Sequence, residues 1–302
     1  VSCPYTPGRT LLYVYNLING VTNLLCNVSI ANDLEISSPG FVGNIKGNGM
    51  PSILVTTNKT ISSYSFDGSQ FLLLDFDLAT TDSSGATGIA FFDLNNNGFQ
   101  EIIYRDQTHL KVIDGSISNP RVLATIECYS GTLFEQPIVG DLDNSGFAKL
   151  CVSCSTLGSN SISKLTIFGP PDSLPGWAPA RGIWNQYNYH ILNINDDLTV
   201  PRVQKNNATY KNGKYNNFNA QESLIDRNGM YLKRAASLTG KIKCINYDPK
   251  NNEYTVIFDV FNLSNASFNA DSSLPVSFYN GDPATGGNLV GTYYTLINLE
   301  SG

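Results

Sequence analysis

The chain has 302 residues, a formal net charge of −6, and 15 % charged against 41 % hydrophobic residues. Its length allows two domains or one large all-β domain. The acidic balance and the lack of a basic stripe exclude an ordinary nucleic-acid binder, and no apolar run approaches the length of a membrane-spanning helix.

Fifteen Phe and 16 Tyr stand against two Met, and runs rich in Ala, Leu, Glu and Lys are missing. This composition predicts short strands joined by many turns. The chain opens at Val1 without an initiator Met and closes at Gly302 directly after a strand-like run, so it reads as part of a longer protein.

In chain order, LLYVYNLING (11–20) reads as strand. Three segments then share one pattern: FVGNIKGNGMPSILV (41–55), FFDLNNNGFQEIIY (91–104) and IVGDLDNSGFAKLCV (138–152). Each has an apolar lead, a six-residue loop ending in Gly, and an apolar strand. The loops begin at Asn44, Asp93 and Asp141, so the periods are 49 and 48 residues. A second element follows each: ISSYSFDGS (61–69), LKVIDGS (110–116) and LTIFGPPD (165–172). A two-part motif recurring in order at this spacing predicts four-stranded units of the kind that form propeller blades, with 11–20 as the end of a further blade.

The loops carry oxygens at alternate positions. The second has Asp93, Asn95, Asn97, the main-chain carbonyl of Phe99, and Glu101, with Gly98 closing the turn. Hard oxygen donors in this number suit Ca²⁺. Position 12 is Tyr104, not the Glu of an EF-hand. Leu94 and Phe99 are expected to point away and anchor the loop. The third loop offers Asp141, Asp143, Ser145 and the carbonyl of Phe147, but Lys149 stands where Glu101 stands in the second. The first has Asn44 and Asn48 with Lys46 between, and is expected to hold no metal. Hydrogen-bonded turns without an ion are the plainer alternative for all three.

These segments resemble FG-GAP or VCBS repeats, the blades of integrin-α-type β-propellers, whose loops follow D-x-[DN]-x-[DN]-G-x-x-[DE] and bind Ca²⁺. The second loop matches fully; the third departs at Lys149, the first at Asn44 and Lys46. The resemblance implies a partial propeller over 1–202; three full repeats and one partial one make either a small ring or, the preferred reading, part of a larger ring.

Six cysteines, two with CxxC spacing at 151 and 154, suggest partial disulfide pairing in an oxidising compartment, Cys128 with Cys151 or Cys154, with buried free thiols as the alternative. Both tryptophans, Trp177 and Trp184, and His190 fall in 176–202. They form either a sugar-binding aromatic platform or an ordered segment closing the last blade, in which Arg181 and Asn185 satisfy backbone groups. ARGIWNQYNYHILNINDDLTVPR resembles a propeller-closing segment of large surface proteins of gliding Bacteroidota. Asp172-Ser173-Leu174 resembles the O-glycan acceptor pattern of that group, which makes Ser173 a candidate glycan site.

Residues 203–235, rich in Asn and Lys, read as an extended connector with little core. Strands resume at 241–248, 253–265, 274–283 and 289–299, with Val256, Phe258 and Val260 on one face. Residues 236–302 are therefore expected to form a truncated immunoglobulin-like sandwich. PVSFYNGDPATGGNLVGT resembles CARDB-type adhesion modules.

No GxSxG, HExxH, Walker A or Rossmann fingerprint is present, and His109 and His190 have no nucleophile arrangement beside them. The expectation is a non-enzymatic, Ca²⁺-stabilised surface protein with a stalk. The resemblance implies type IX export to the outer-membrane surface and a role in adhesion or gliding, with surface or secretion-system proteins or extracellular glycans as partners. The alternative is a carbohydrate-binding accessory or polysaccharide-lyase-type propeller of a secreted enzyme.

Overall fold

The computed structural model describes residues 2–6, 9–18, 21–32, 37–58, 60–68, 71–131, 133–143, 145–155, 163–171, 176–225, 238–262, 273–296 and 299. The candidate glycan residue Ser173 and part of the expected connector lie outside them. Among the described residues the chain is all-β, with two single-turn 3₁₀ elements and no helix long and apolar enough to cross a membrane.

Strands β1 (Ser2–Thr6), β2 (Arg9–Ile18) and β3 (Val21–Asn32) form a three-stranded antiparallel sheet. Two four-stranded meanders follow. One is β4 (Phe41–Gly43), β5 (Ser52–Thr56), β6 (Thr60–Phe66) and β7 (Leu72–Ala79); the other is β8 (Ile89–Phe92), β9 (Glu101–Arg105), β10 (His109–Asp114) and β11 (Arg121–Glu127). Strands β12 (Ile138–Gly140), β13 (Lys149–Ser155) and β14 (Ser163–Phe168) repeat the first three strands of that order. Each repeat places its loop in the same hairpin, between the first two strands, and the recurring second element is the third strand.

The meanders pack face against face. Ile89, Phe91, Ile102 and Tyr104 face the β4–β7 sheet, with Phe41, Leu54, Ile61 and Phe76. Ala90, Phe92 and Ile103 face the other way, with Val139, Leu150 and Val152. Burial on both faces explains why IAFF and the IIY centre of EIIYR read as apolar runs: the two-residue alternation is present but hidden. Close packing is visible at Gly43, where a Cβ would stand 2.6 Å from the Phe91 ring.

The first strands of the repeats are edge strands and need partners for their backbone groups. Residues 218–221 supply them. Phe218 N donates to Val42 O, Phe91 N to Asn219 O, and Gln221 N to Phe91 O, while Gln221 Nε2 reaches Val139 O at 2.8 Å. The edges of β4, β8 and β12 thus converge on one segment. Asn219 and Ala220 are fully buried, with Tyr215, Gln221 and Leu224 nearly so. The expectation of little core in 203–235 is therefore corrected for 215–224. The segment looks like a polar linker because amides and a small alanine, not large apolar residues, are what a narrow seam between three sheets accepts.

Cys128, just after β11, is disulfide-bonded to Cys154 of β13, joining neighbouring repeats; Cys151 is a buried thiol. The buried Arg105 crosses the same seam. It donates to Ser153 O and Ser130 Oγ, and its Nη2 lies 3.1 Å from Glu135.

Further along, β15 (Leu238–Asp248) pairs with β16 (Glu253–Asn262), and β17 (Pro275–Asn280) with β18 (Asn288–Tyr294). Phe258 bridges the hairpins edge-on, 4.9 Å from Phe278 and 5.8 Å from Tyr293. Val256, Phe258 and Val260 are half-buried on that inner face, while the intervening Ile257 is exposed.

Candidate metal centre

The three loops share one hydrogen-bond scheme. Their sixth residues, Gly49, Gly98 and Gly146, have φ of 79°, 89° and 84°, the left-handed region that glycine enters without strain. Each sixth N–H donates to the first side chain: Gly49 N to Asn44 Oδ1 (3.3 Å), Gly98 N to Asp93 Oδ2 (2.7 Å), and Gly146 N to Asp141 Oδ2 (3.0 Å). The fifth side chain accepts from the seventh N–H, at Asn48, Asn97 and Ser145. The scaffold is one loop in three chemical versions.

In the second loop Asp93 is half-buried and Glu101 buried, while Asn95 and Asn97 are exposed; the Asp93 and Asn95 oxygens accept from Asn97 N, and the Asn97 oxygen from Phe99 N. Glu101 is 3 % exposed; its Oε2 accepts from Leu94 N (2.7 Å) and its Oε1 from Asn95 Nδ2 (2.8 Å). Burial pushes its carboxyl up to about 7, against the pull of the Leu94 hydrogen bond, and the nearby Asp93 charge adds to the rise. Two carboxylates, two amide oxygens and the Phe99 carbonyl make a hard-oxygen set that a divalent cation would neutralise, so this loop fits Ca²⁺ by donor chemistry. Among the described residues no three His, Cys, Asp or Glu gather at one point, so amide and main-chain oxygens are needed to complete the set.

In the third loop the ammonium of Lys149 turns inward, 3.3 Å from Asp143 Oδ2 and 3.0 Å from Ser145 Oγ. A cation from within the chain already sits on two of the four expected donors. Hydrogen bonding by Ser145, with Lys149 beside it, holds the Asp143 carboxyl below its ordinary value. Asp141 is buried, which raises its carboxyl, and its Oδ1 has no hydrogen-bond partner among the described residues. Asp141, Asp143, Ser145 and Phe147 therefore fit a metal poorly while Lys149 is in place, which revises the expectation for this loop. In the first loop Lys46 leaves the turn and pairs with Asp75 of β7, also donating to Ser65 Oγ (2.8 Å).

Leu94 is buried as expected, but Phe99 does not anchor in the core. It is 36 % exposed and lies over Gly47 of the preceding loop, where a Cβ would meet its ring at 2.7 Å. Asn44 N donates to Gln100 Oε1 (2.7 Å) and Gln100 N to Asn44 O (3.2 Å), so adjacent loops dock on one another. Residues 176–181 run between the second and third: Ala178 N donates to Leu94 O, and Ala148 N to Ala178 O.

Trp177 and Trp184 are half-buried against the core, and Trp184 stacks on Tyr189 at 4.5 Å. The two do not share one open platform: Trp184 borders a cleft that Trp177 does not line. Arg181 is buried and donates to the carbonyls of Ile191 (2.9 Å) and Ile194 (2.7 Å) and to Asp196 (2.7 Å). Asn185 is exposed. A cleft of about 250 Å³ adjoins this region, but its polar groups are largely engaged with one another: Lys205 with Tyr210 (3.1 Å) and Tyr215 with Glu222 (2.8 Å). Sequence reading missed Gln221 and Asn219, whose buried amides hold the seam; the FNAQ run carries no motif to mark them.

No family model matches the chain, and no curated protein matches it. Among solved structures, the crystal structure of the V. cholerae biofilm matrix protein Bap1 is similar at 20 % identity and a TM-score of 0.48, over 70 % of this chain. The chain spans 33 % of the length of that protein.

Proposed function

We propose that this chain is a non-enzymatic, exported cell-surface protein in which Ca²⁺-stabilised propeller blades (1–202) carry a sandwich-type stalk module (236–302), serving adhesion or gliding. The observation that carries the reading is the second loop, built like its two neighbours but keeping a full oxygen set with a buried carboxylate at its base. Asp93, Asn95, Asn97, Glu101 and the Phe99 carbonyl would hold the ion, which supplies charge neutralisation rather than catalysis. The Cys128–Cys154 disulfide supports an oxidising, extracytoplasmic location. The face-packed meanders support blades, and the Phe258-bridged hairpins support a stalk module. Type IX export remains part of the proposal through the resemblance of 180–202. Thermal melting with and without chelator tests the calcium role; deletion of the reading frame, scored for attachment and for growth on polysaccharide, separates adhesion from a degradative accessory role.

A further inference from the structure

A second feature lies where β8 and β12 begin. The Gln136 side chain crosses Gly88 so closely that a Cβ there would stand 2.8 Å from Gln136 Cβ. Both amide atoms of Gln136, Nε2 and Oε1, are buried without a hydrogen-bond partner among the described residues. An amide stripped of water and left unpaired is costly, and native folds rarely keep one without a use. Gln136 lines a cleft of about 310 Å³ together with Ile138, Trp184, Asn185, Gln186 and Tyr187. The lining holds three amides and two aromatic rings and no charged side chain. Trp184 has a ring face covered by Tyr189, which fixes its plane, and Tyr187 is 38 % exposed. Glu135, whose charge is felt at Tyr187, is itself held by Arg105 (3.1 Å) and Ser130 (2.7 Å).

We propose that this cleft binds an uncharged sugar unit of a glycan, its C–H face on the aromatic rings and its hydroxyls exchanging hydrogen bonds with the exposed amides of Asn185 and Gln186 and with the Gln136 amide, whose buried atoms turn toward the cleft to meet them. An amide donates and accepts side by side, as adjacent hydroxyls do, and aromatic rings cover the apolar face of a pyranose. An apolar ligand would leave the amide unpaired, and an acidic sugar would find no cation in the lining. The cleft stands apart from the metal loops, so this inference does not rest on calcium binding.

The test uses the full chain carrying Trp177→Phe, which leaves Trp184 as its single tryptophan. Its emission is titrated with maltohexaose, cellohexaose, laminarihexaose, mannohexaose and, as an acidic control, hexagalacturonate. The expected result is a saturable change with at least one neutral hexasaccharide, weakened about tenfold or more by Gln136→Leu and by Gly88→Ala, which displaces Gln136. Circular dichroism and melting establish that each variant folds; if one does not, the other decides. No saturable change with any neutral hexasaccharide, binding of hexagalacturonate alone, or unchanged affinity in the folded variants would overturn the proposal and leave Gln136 a packing residue only.

Discussion

Replacing Glu101 by Gln removes one buried charge while keeping the shape of the side chain. In the metal-free protein, raising this carboxyl from 4.5 to about 7 corresponds to about 3 kcal/mol that the ionised form costs the fold above neutral pH. Gln has one carbonyl oxygen for the two donors, Leu94 N and Asn95 Nδ2. Losing one accepted bond takes back about 1 kcal/mol. The expected net effect of Glu101→Gln at pH 8, metal-stripped, is stabilisation by about 1–2 kcal/mol, a few degrees in melting temperature for a unit of this size. The sign follows from proton counting. The folded state binds the extra proton between about 4.5 and 7, so this group's contribution falls as pH rises through that window and is level beyond it. The wild type should therefore lose more stability than the variant between pH 5 and pH 8. In excess Ca²⁺ at pH 8 the order should reverse, because the ion favours the ionised carboxylate. Melts of both proteins at the two pH values, stripped and Ca²⁺-loaded, measure all of this. A variant less stable than wild type when stripped at pH 8, with identical pH dependence, would refute the reasoning.

Three further outcomes are expected. Lys149→Glu restores the acid that the second loop has at Glu101 and removes the ammonium from Asp143 and Ser145; direct titration should show one more Ca²⁺ bound per chain than wild type. Cys128→Ser with Cys154→Ser opens a closure of 26 residues, which loop entropy sets at about 3.5 kcal/mol; the melting temperature should fall by several degrees, and reductant should lower the wild type as far. Arg181→Met strands the carbonyls of Ile191 and Ile194, costing about 2–4 kcal/mol, and hydrogen exchange should speed up locally over 189–196.

What could be read from the sequence was what is local. The left-handed glycines at 49, 98 and 146, the strands after them and the third-strand elements follow from residues a few positions apart. What is non-local was hidden. Lys149 could point in or out, and only its ion pair with Asp143 decides. Phe99 reads as a core anchor from its own loop alone; the surface it covers belongs to Gly47, half a hundred residues upstream. The seam at 218–221 reads as linker because amides satisfying three sheet edges look, in sequence, like amides facing water. The pairing of Cys128 with Cys154 rather than Cys151 depends on which face of β13 meets β11, and the buried run KLCVS does not display its alternation.

The most direct measurement is equilibrium dialysis of the full chain against Ca²⁺ after stripping, with melting temperature followed in parallel. The account predicts a bound ion in wild type, with a higher melting temperature, and loss of both in Asp93→Ala. No bound Ca²⁺ at millimolar free ion, with the melting temperature unmoved by chelator, would contradict it.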